Sequence, residues 1–234
     1  MEFNFKNFSV QQSKSPHKIG TDSLLLGAWT KTSAQRILDI GTGTGVLALM
    51  AAQNHPTALI TAIEPQIEAF EEAQYNFKES PYSNRMLAIN TELQNFGAMD
   101  KYDLIICNPP YFQNSYKSEN AQRNIARHTD SLLIPDLYEL ADNLLEEEGL
   151  MNVVIPYDLE EDHIHYAAHA DLFPSKFLRT LTPKGSFKRS LISFSRQNLA
   201  NPEEKEMTVK DQNNRYSEAY IKLTQGFHDR DLSQ

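Results

Sequence analysis

Two short stretches of this chain carry residue types whose spacing can organise chemistry: "DIGTGTGV" at 39–46 and "IICNPPYF" at 105–112. In the first, Gly41, Gly43 and Gly45 stand between an apolar strand-like run and an apolar helical segment. Glycines in such a turn let the backbone bend tightly, let a ligand approach the main chain and let the helix pack close to the strand. The spacing G-x-G-x-G differs from the dinucleotide fingerprint G-x-G-x-x-G, which argues against NAD or FAD. Glu64 ends the next strand-like run, about twenty residues on, where a carboxylate accepts hydrogen bonds from both hydroxyls of a ribose and a 2′-phosphate would be repelled. Adenosine without that phosphate is the natural ligand.

The second stretch ends a strand-like run on Asn108, Pro109, Pro110 and Tyr111. Proline has a fixed φ and no N–H, so the pair makes the backbone rigid and keeps its carbonyls out of helical hydrogen bonds. Fixed acceptors suit an exocyclic amine conjugated to a ring, whose delocalised lone pair makes it a poor nucleophile. The Asn108 side-chain carbonyl and the Pro109 backbone carbonyl can hold its two N–H bonds and so direct the lone pair. Tyr111 would stack on the ring, worth roughly 1–3 kcal/mol. Either stretch by itself also reads as a plain structural turn; the strand context, the acid and the presence of both favour the chemistry.

The elements that position these residues follow from the hydrophobic pattern. Apolar runs at 36–41, 58–65, 85–90, 102–108, 150–156, 176–183 and 188–196 read as strands. Helical periodicity lies between them near 45–54, 66–79, 135–147 and 158–170, with Asp158 placed to cap one helix and Pro135 to fit a first turn. Such alternation predicts an α/β fold, a parallel sheet with helices on both faces. The linker 184–187 is too short for a crossover helix, so the last two strands should form an antiparallel hairpin. Ahead of the first strand, 21–30 reads as a short helix with Thr21 or Asp22 at its N-cap. Behind the last, the polar segment 197–234 reads as an extension, with an exposed strand at 206–211 and a strand or short helix within 216–229. The 234 residues are read as one domain (1–234), composed of a cap segment (1–35), a core (36–196) and the extension (197–234).

Composition narrows the setting. With 40% hydrophobic and 23% charged residues, the chain matches ordinary globular proteins. It shows no apolar run long enough to span a membrane, and its first residues lack the pattern of a signal peptide, so no membrane association is expected. The single cysteine, Cys107, fits a reducing compartment, the cytoplasm, and reads as a small core residue. A formal net charge of −9 repels a polyanion overall, so any nucleic-acid role must rest on a local patch. Lys117, Arg123, Arg127 and His128, with Tyr116 among them, follow the proline turn and can bind phosphates; Lys184, Lys188 and Arg189 lie around the hairpin. The alternative for these charges is a solvated face. His163, His165 and His169 lie near helical spacing but have no matching carboxylates or cysteines, so no metal site is read there. Trp29 is left between capping the ligand pocket and filling the core.

D-x-G-x-G-x-G with an acid after the next strand resembles motif I of class I S-adenosylmethionine-dependent methyltransferases, over roughly residues 36–195. The resemblance implies a Rossmann-like fold of seven strands ending in an antiparallel hairpin, with S-adenosylmethionine as cofactor. It places Asp39 near the methionine amino group and Glu92 near the adenine, and puts Thr42, Thr21 and Asp22 on the cofactor side with Gly41, Gly43, Gly45 and Glu64. The turn Asn108-Pro109-Pro110-Tyr111 resembles motif IV of amino-methyltransferases acting on planar nitrogens: adenine N6, ribosomal guanine N2 and release-factor glutamine N5. At the N-terminus, Phe3, Phe5 and Phe8, followed by Lys18, Ile19, Gly20, Thr21, Asp22, Leu25, Leu26, Gly27, Ala28 and Trp29, resemble the bacterial family of valine-tRNA adenine-37 N6-methyltransferases. That family implies tRNA as partner, with adenine 37 in the anticodon stem-loop of valine tRNA as target. A release-factor or ribosomal methyltransferase, or a binding module without catalysis, are the alternatives.

Overall fold

Residues 2–15, 18–97, 100–109 and 132–232 are described by the computed structural model. A short antiparallel pair, β1 (Glu2–Asn4) and β2 (Ser9–Gln11), precedes helix α1 (Thr21–Trp29). The alternating part follows: β3 (Arg36–Ile40), α2 (Val46–Asn54), β4 (Leu59–Glu64), α3 (Ile67–Glu79), β5 (Met86–Asn90) and β6 (Tyr102–Cys107). Then come α4 (Ile134–Leu144), β7 (Leu145–Pro156), α5 (Glu160–His169), β8 (Phe173–Leu181), β9 (Phe187–Ser195), β10 (Glu203–Thr208) and α6 (Glu218–Thr224).

The sheet has eight strands in the order β10-β8-β9-β7-β6-β3-β4-β5. β9 runs antiparallel to both β7 and β8, while every other adjacent pair is parallel. The hairpin read from the short 184–187 linker is therefore present, with its second strand inserted beside β7. Alternation along the strands sorts the core onto two faces. Ile37, Leu104, Ile106 and Val154 pack with α1 and α2, and Leu38, Ile105, Cys107 and Val153 pack with α4 and α5. Both faces are covered, so these strands are mostly apolar where they cross the core.

Several details depart from the sequence reading. The seven expected strands gain an eighth, because β10 pairs parallel with β8 along Glu203–Thr208, slightly earlier than expected, and buries Met207. Helix α4 ends at Leu144, and residues 145–147, read as its end, instead begin β7, whose start pairs Tyr102 with Leu145. Asp158 does not cap α5: it lies in a 3-10 turn, Tyr157–Leu159, and Leu159 is the cap. α1 is capped by Gly20, with Thr21 already helical. Pro135 does sit in the first turn of α4. Segment 216–229 yields α6, capped by Ser217, whose Oγ accepts from Tyr220 N at 3.1 Å. Phe3, Phe5 and Phe8 are packing residues: the Phe5 and Phe8 rings stack at 4.5 Å, and Phe5 bridges His228 near the other end of the chain. Trp29 and Cys107 belong to the core, at 9% and 2% exposure. No helix among the described residues is long and apolar enough to cross a membrane.

Candidate active site

A cleft of about 660 Å³ opens at the carboxyl ends of β3, β4 and β6, lined by Gly41–Thr44, Glu64, Thr91–Gln94, Asn108 and Pro109 and closed from the other side by Ser15 and Lys18–Gly20. That is where open parallel sheets bind ligands. The glycine turn at its floor has Gly41, Gly43 and Gly45 at φ of +68°, +57° and +83°, the left-handed region that favours glycine. A Cβ on Gly45 would come within 2.5 Å of the Phe77 ring, so this position is also the close contact between α2 and α3. Gly41 differs: nothing lies within 4 Å of where its Cβ would stand.

Glu64 ties the turn to β4. Its Oε2 accepts from Gly43 N at 2.9 Å and its Oε1 from Gln66 N at 3.0 Å. Gly41 N and Thr42 N donate to Ile63 O at 3.0 and 3.1 Å. The carboxylate is 7% exposed and fixed in orientation at the cleft wall. Glu92 also lines the cleft, its Oε2 accepting from Asn95 Nδ2 at 3.1 Å beside the apolar Leu93. Asn108 stands just past β6, and its Nδ2 donates to Ser23 Oγ of α1 at 3.1 Å. That bond selects the orientation of the Asn108 amide.

Asp39, expected at the methionine amino group, is instead withdrawn beneath the turn, fully buried and away from the cleft lining. Alternation along β3 puts it on the α2 face with Ile37, where its Oδ2 accepts from Thr42 Oγ1 at 2.5 Å and Ala48 N at 3.1 Å. Burial pushes its carboxyl from 3.8 up to about 7, with the nearby Glu64 charge acting in the same direction. Because the folded value is raised, the stability this group contributes is whole below about pH 4 and is lost as pH rises towards 7. The loss amounts to roughly 4 kcal/mol over that window. Asp39→Asn should flatten the stability profile there, as urea unfolding at about pH 4 and about pH 8 would show; an unchanged slope would refute the assignment.

Two further expectations shift. Thr21 is exposed and outside the cleft lining, while its neighbour Asp22 lines the cleft and pairs with Arg189 Nε at 2.8 Å. Lys188 is exposed near the start of β9 and does not line the cleft. Pro110, Tyr111, Tyr116, Lys117, Arg123, Arg127 and His128 lie outside the described residues. His163 is buried and its Nδ1 is 2.8 Å from Tyr138 Oη, and burial lowers its pKa to about 4. No group of three or more His, Cys, Asp or Glu among the described residues can hold a metal ion.

The strap that closes the cleft was not foreseen. Glu72 of α3 accepts from Ser13 N and Lys14 N through Oε1, at 2.5 and 2.8 Å, and from Ser15 N through Oε2 at 2.8 Å. Burial works against its ionisation, but these N–H groups outweigh it and lower its pKa. Lys18 Nζ donates to the carbonyls of Gln12 and Ser15. Lys18 was thus readable only as part of a motif, and Ser15 and Glu72 were not singled out at all.

The model of the methyltransferase small domain matches residues 13–165. A tRNA1(Val) (adenine(37)-N6)-methyltransferase of Flavobacterium psychrophilum is 44% identical over 231 residues, covering 97% of this chain and 98% of that protein. One of the same description from Parabacteroides distasonis is 41% identical, covering 97% of each. Among solved structures, a predicted O-methyltransferase from Agrobacterium tumefaciens superposes with a TM-score of 0.69 at 17% identity, over 88% of this chain and 96% of that one. A methyltransferase from Pyrococcus furiosus does so with a TM-score of 0.57 at 22% identity, over 80% and 88%.

Proposed function

Since this chain belongs to the methyltransferase small-domain family and to the tRNA adenine-N6 methyltransferases within it, we propose that it methylates N6 of adenine 37 in the anticodon loop of valine tRNA, using S-adenosylmethionine, in the cytoplasm. The residues present fit that cofactor. The space beside Gly41, which a Cβ would fill, leaves the turn backbone open to a ligand, and Glu64 offers an oriented carboxylate for the ribose hydroxyls. Glu92 and Leu93 form the wall suited to the adenine. When bound, the cofactor supplies an electrophilic methyl group on a sulfonium.

The acceptor base is the task of Asn108 and Pro109. The observation that carries the reading is the Asn108 amide, held by Ser23 at the cleft that the glycine turn and Glu64 define. The Asn108 side-chain carbonyl is assigned to one adenine N6–H bond and the Pro109 backbone carbonyl to the other. Both acceptors then turn the nitrogen lone pair towards the methyl. The proton can leave N6 after methyl transfer, so the chain would need to supply no strong general base. Tyr111 is assigned to stacking on the base, and Lys117, Arg123, Arg127 and His128 to the flanking phosphates.

Incubation of the purified protein with methyl-labelled S-adenosylmethionine and total bacterial tRNA, followed by nucleoside analysis, tests the reading. Label is expected in N6-methyladenosine. No label in tRNA, with label instead in release factor or ribosomal RNA when these are supplied in parallel incubations, would overturn the substrate assignment.

A further inference from the structure

An aromatic pair stands at the same end of the sheet as Asn108 and has no part in the cleft. Tyr157, in the 3-10 turn after β7, and Phe187, the first residue of β9, stack with ring centroids 4.5 Å apart and planes 27° from parallel. Phe187 is 36% exposed, so the outer part of the pair meets water. The register places Pro156 opposite Arg189, two strands from Asn108 across β7, a lateral distance of roughly 10 Å at ordinary strand spacing. Arg189 is joined to Asp22 of α1, and the next residue, Ser23, holds the Asn108 amide. The pair and the acceptor site are thus braced by one helix.

Two exposed lysines flank the pair in a chain of net charge −9: Lys184 at the hairpin tip and Lys188 next to Phe187 on β9. The exposed acids nearby, Asp158, Glu161 and Asp162, belong to the Tyr157 turn and the start of α5. Exposed aromatic faces flanked by lysines are what sequence-tolerant binding of single-stranded nucleic acid uses: rings stack on bases while cations meet phosphates. We infer that the Tyr157–Phe187 pair is a stacking platform for an unpaired nucleotide neighbouring the target adenine, with Lys184 and Lys188 as its phosphate contacts. This rests on the reading of the chain as a tRNA methyltransferase, and adds a binding subsite outside the catalytic turn. Its consequence is a preference for a target presented in a loop, where the neighbouring base can unstack.

Steady-state methylation of valine tRNA by Phe187→Ala and Phe187→Trp variants tests it, alongside cofactor affinity and thermal unfolding to confirm that both fold. Phe187→Ala should raise KM for tRNA at least about fivefold with kcat nearly kept, and Phe187→Trp should restore it. Lys188→Ala should lower the slope of log affinity against log salt by about 0.7. A 2-aminopurine placed beside the target adenine should be quenched by the wild type and the tryptophan variant but not by the alanine variant. Unchanged KM and quenching in Phe187→Ala, beside an active wild type, would overturn the platform alone; a wild type that labels no tRNA would overturn the function beneath it.

Discussion

Replacing Asn108 with alanine is expected to lower kcat on tRNA by at least about 100-fold while leaving the Kd for S-adenosylmethionine nearly unchanged. In the proposed role the amide meets the acceptor base, and Asn108 lines the cleft just past β6, with β3 between it and the strand that ends at Glu64. Its effect should fall on kcat because of how charge develops. As the C–N bond forms, N6 becomes cationic, its N–H bonds become stronger donors, and the acceptors facing them matter more than they did in the ground state. The Pro109 carbonyl survives the substitution, so activity should not vanish. Single-turnover rates at saturating tRNA, with calorimetric titration of the cofactor, separate the outcomes. Retention of most of the rate, or a loss confined to KM, would remove Asn108 from this role.

What could be read from the sequence was local in the chain. The glycine turn, Glu64 and the Asn108 turn are strand–loop junctions whose residue types stand next to the pattern that defines the strand, and the hairpin follows from a linker too short for anything else. The rest depends on contacts between distant segments. Glu72 sits in "EAFEEAQ" beside other acids of a helical run, and only the arrival of residues 13–15 distinguishes it from its solvated neighbours. Asp39 was placed near the methionine amino group because its stretch resembles motif I, but the face it takes is set by which helix covers that side of β3. Glu146–Glu148 have the composition of a helix end, yet they continue β7 across the shift in register between its pairs with β6 at Leu145 and Leu150. β1 and β2, at three residues each, are too short to show a period at all. β10 carries Glu203, Glu204, Lys205 and Glu206 exposed on the sheet edge, the polar pattern that discourages pairing with another chain.

Glu64→Ala is the second large effect, and it should be of the opposite kind: the Kd for S-adenosylmethionine is expected to rise at least about 100-fold, with kcat at saturating cofactor much less altered. Each hydrogen bond to a charged group contributes about 1.5–3 kcal/mol, and a carboxylate facing two ribose hydroxyls makes two of them. The residue also holds Gly43 N and Gln66 N, so its loss leaves two donors unpaired and loosens the turn itself. These two causes can be told apart by a cofactor analogue lacking the ribose hydroxyls. If the direct contact dominates, the wild type should discriminate strongly between S-adenosylmethionine and the analogue, whereas the variant should bind both alike, the signature of a removed pairwise interaction. If the variant binds weakly yet discriminates as well as the wild type does, Glu64 acts only by bracing the glycine turn, and the ribose is recognised elsewhere in the cleft.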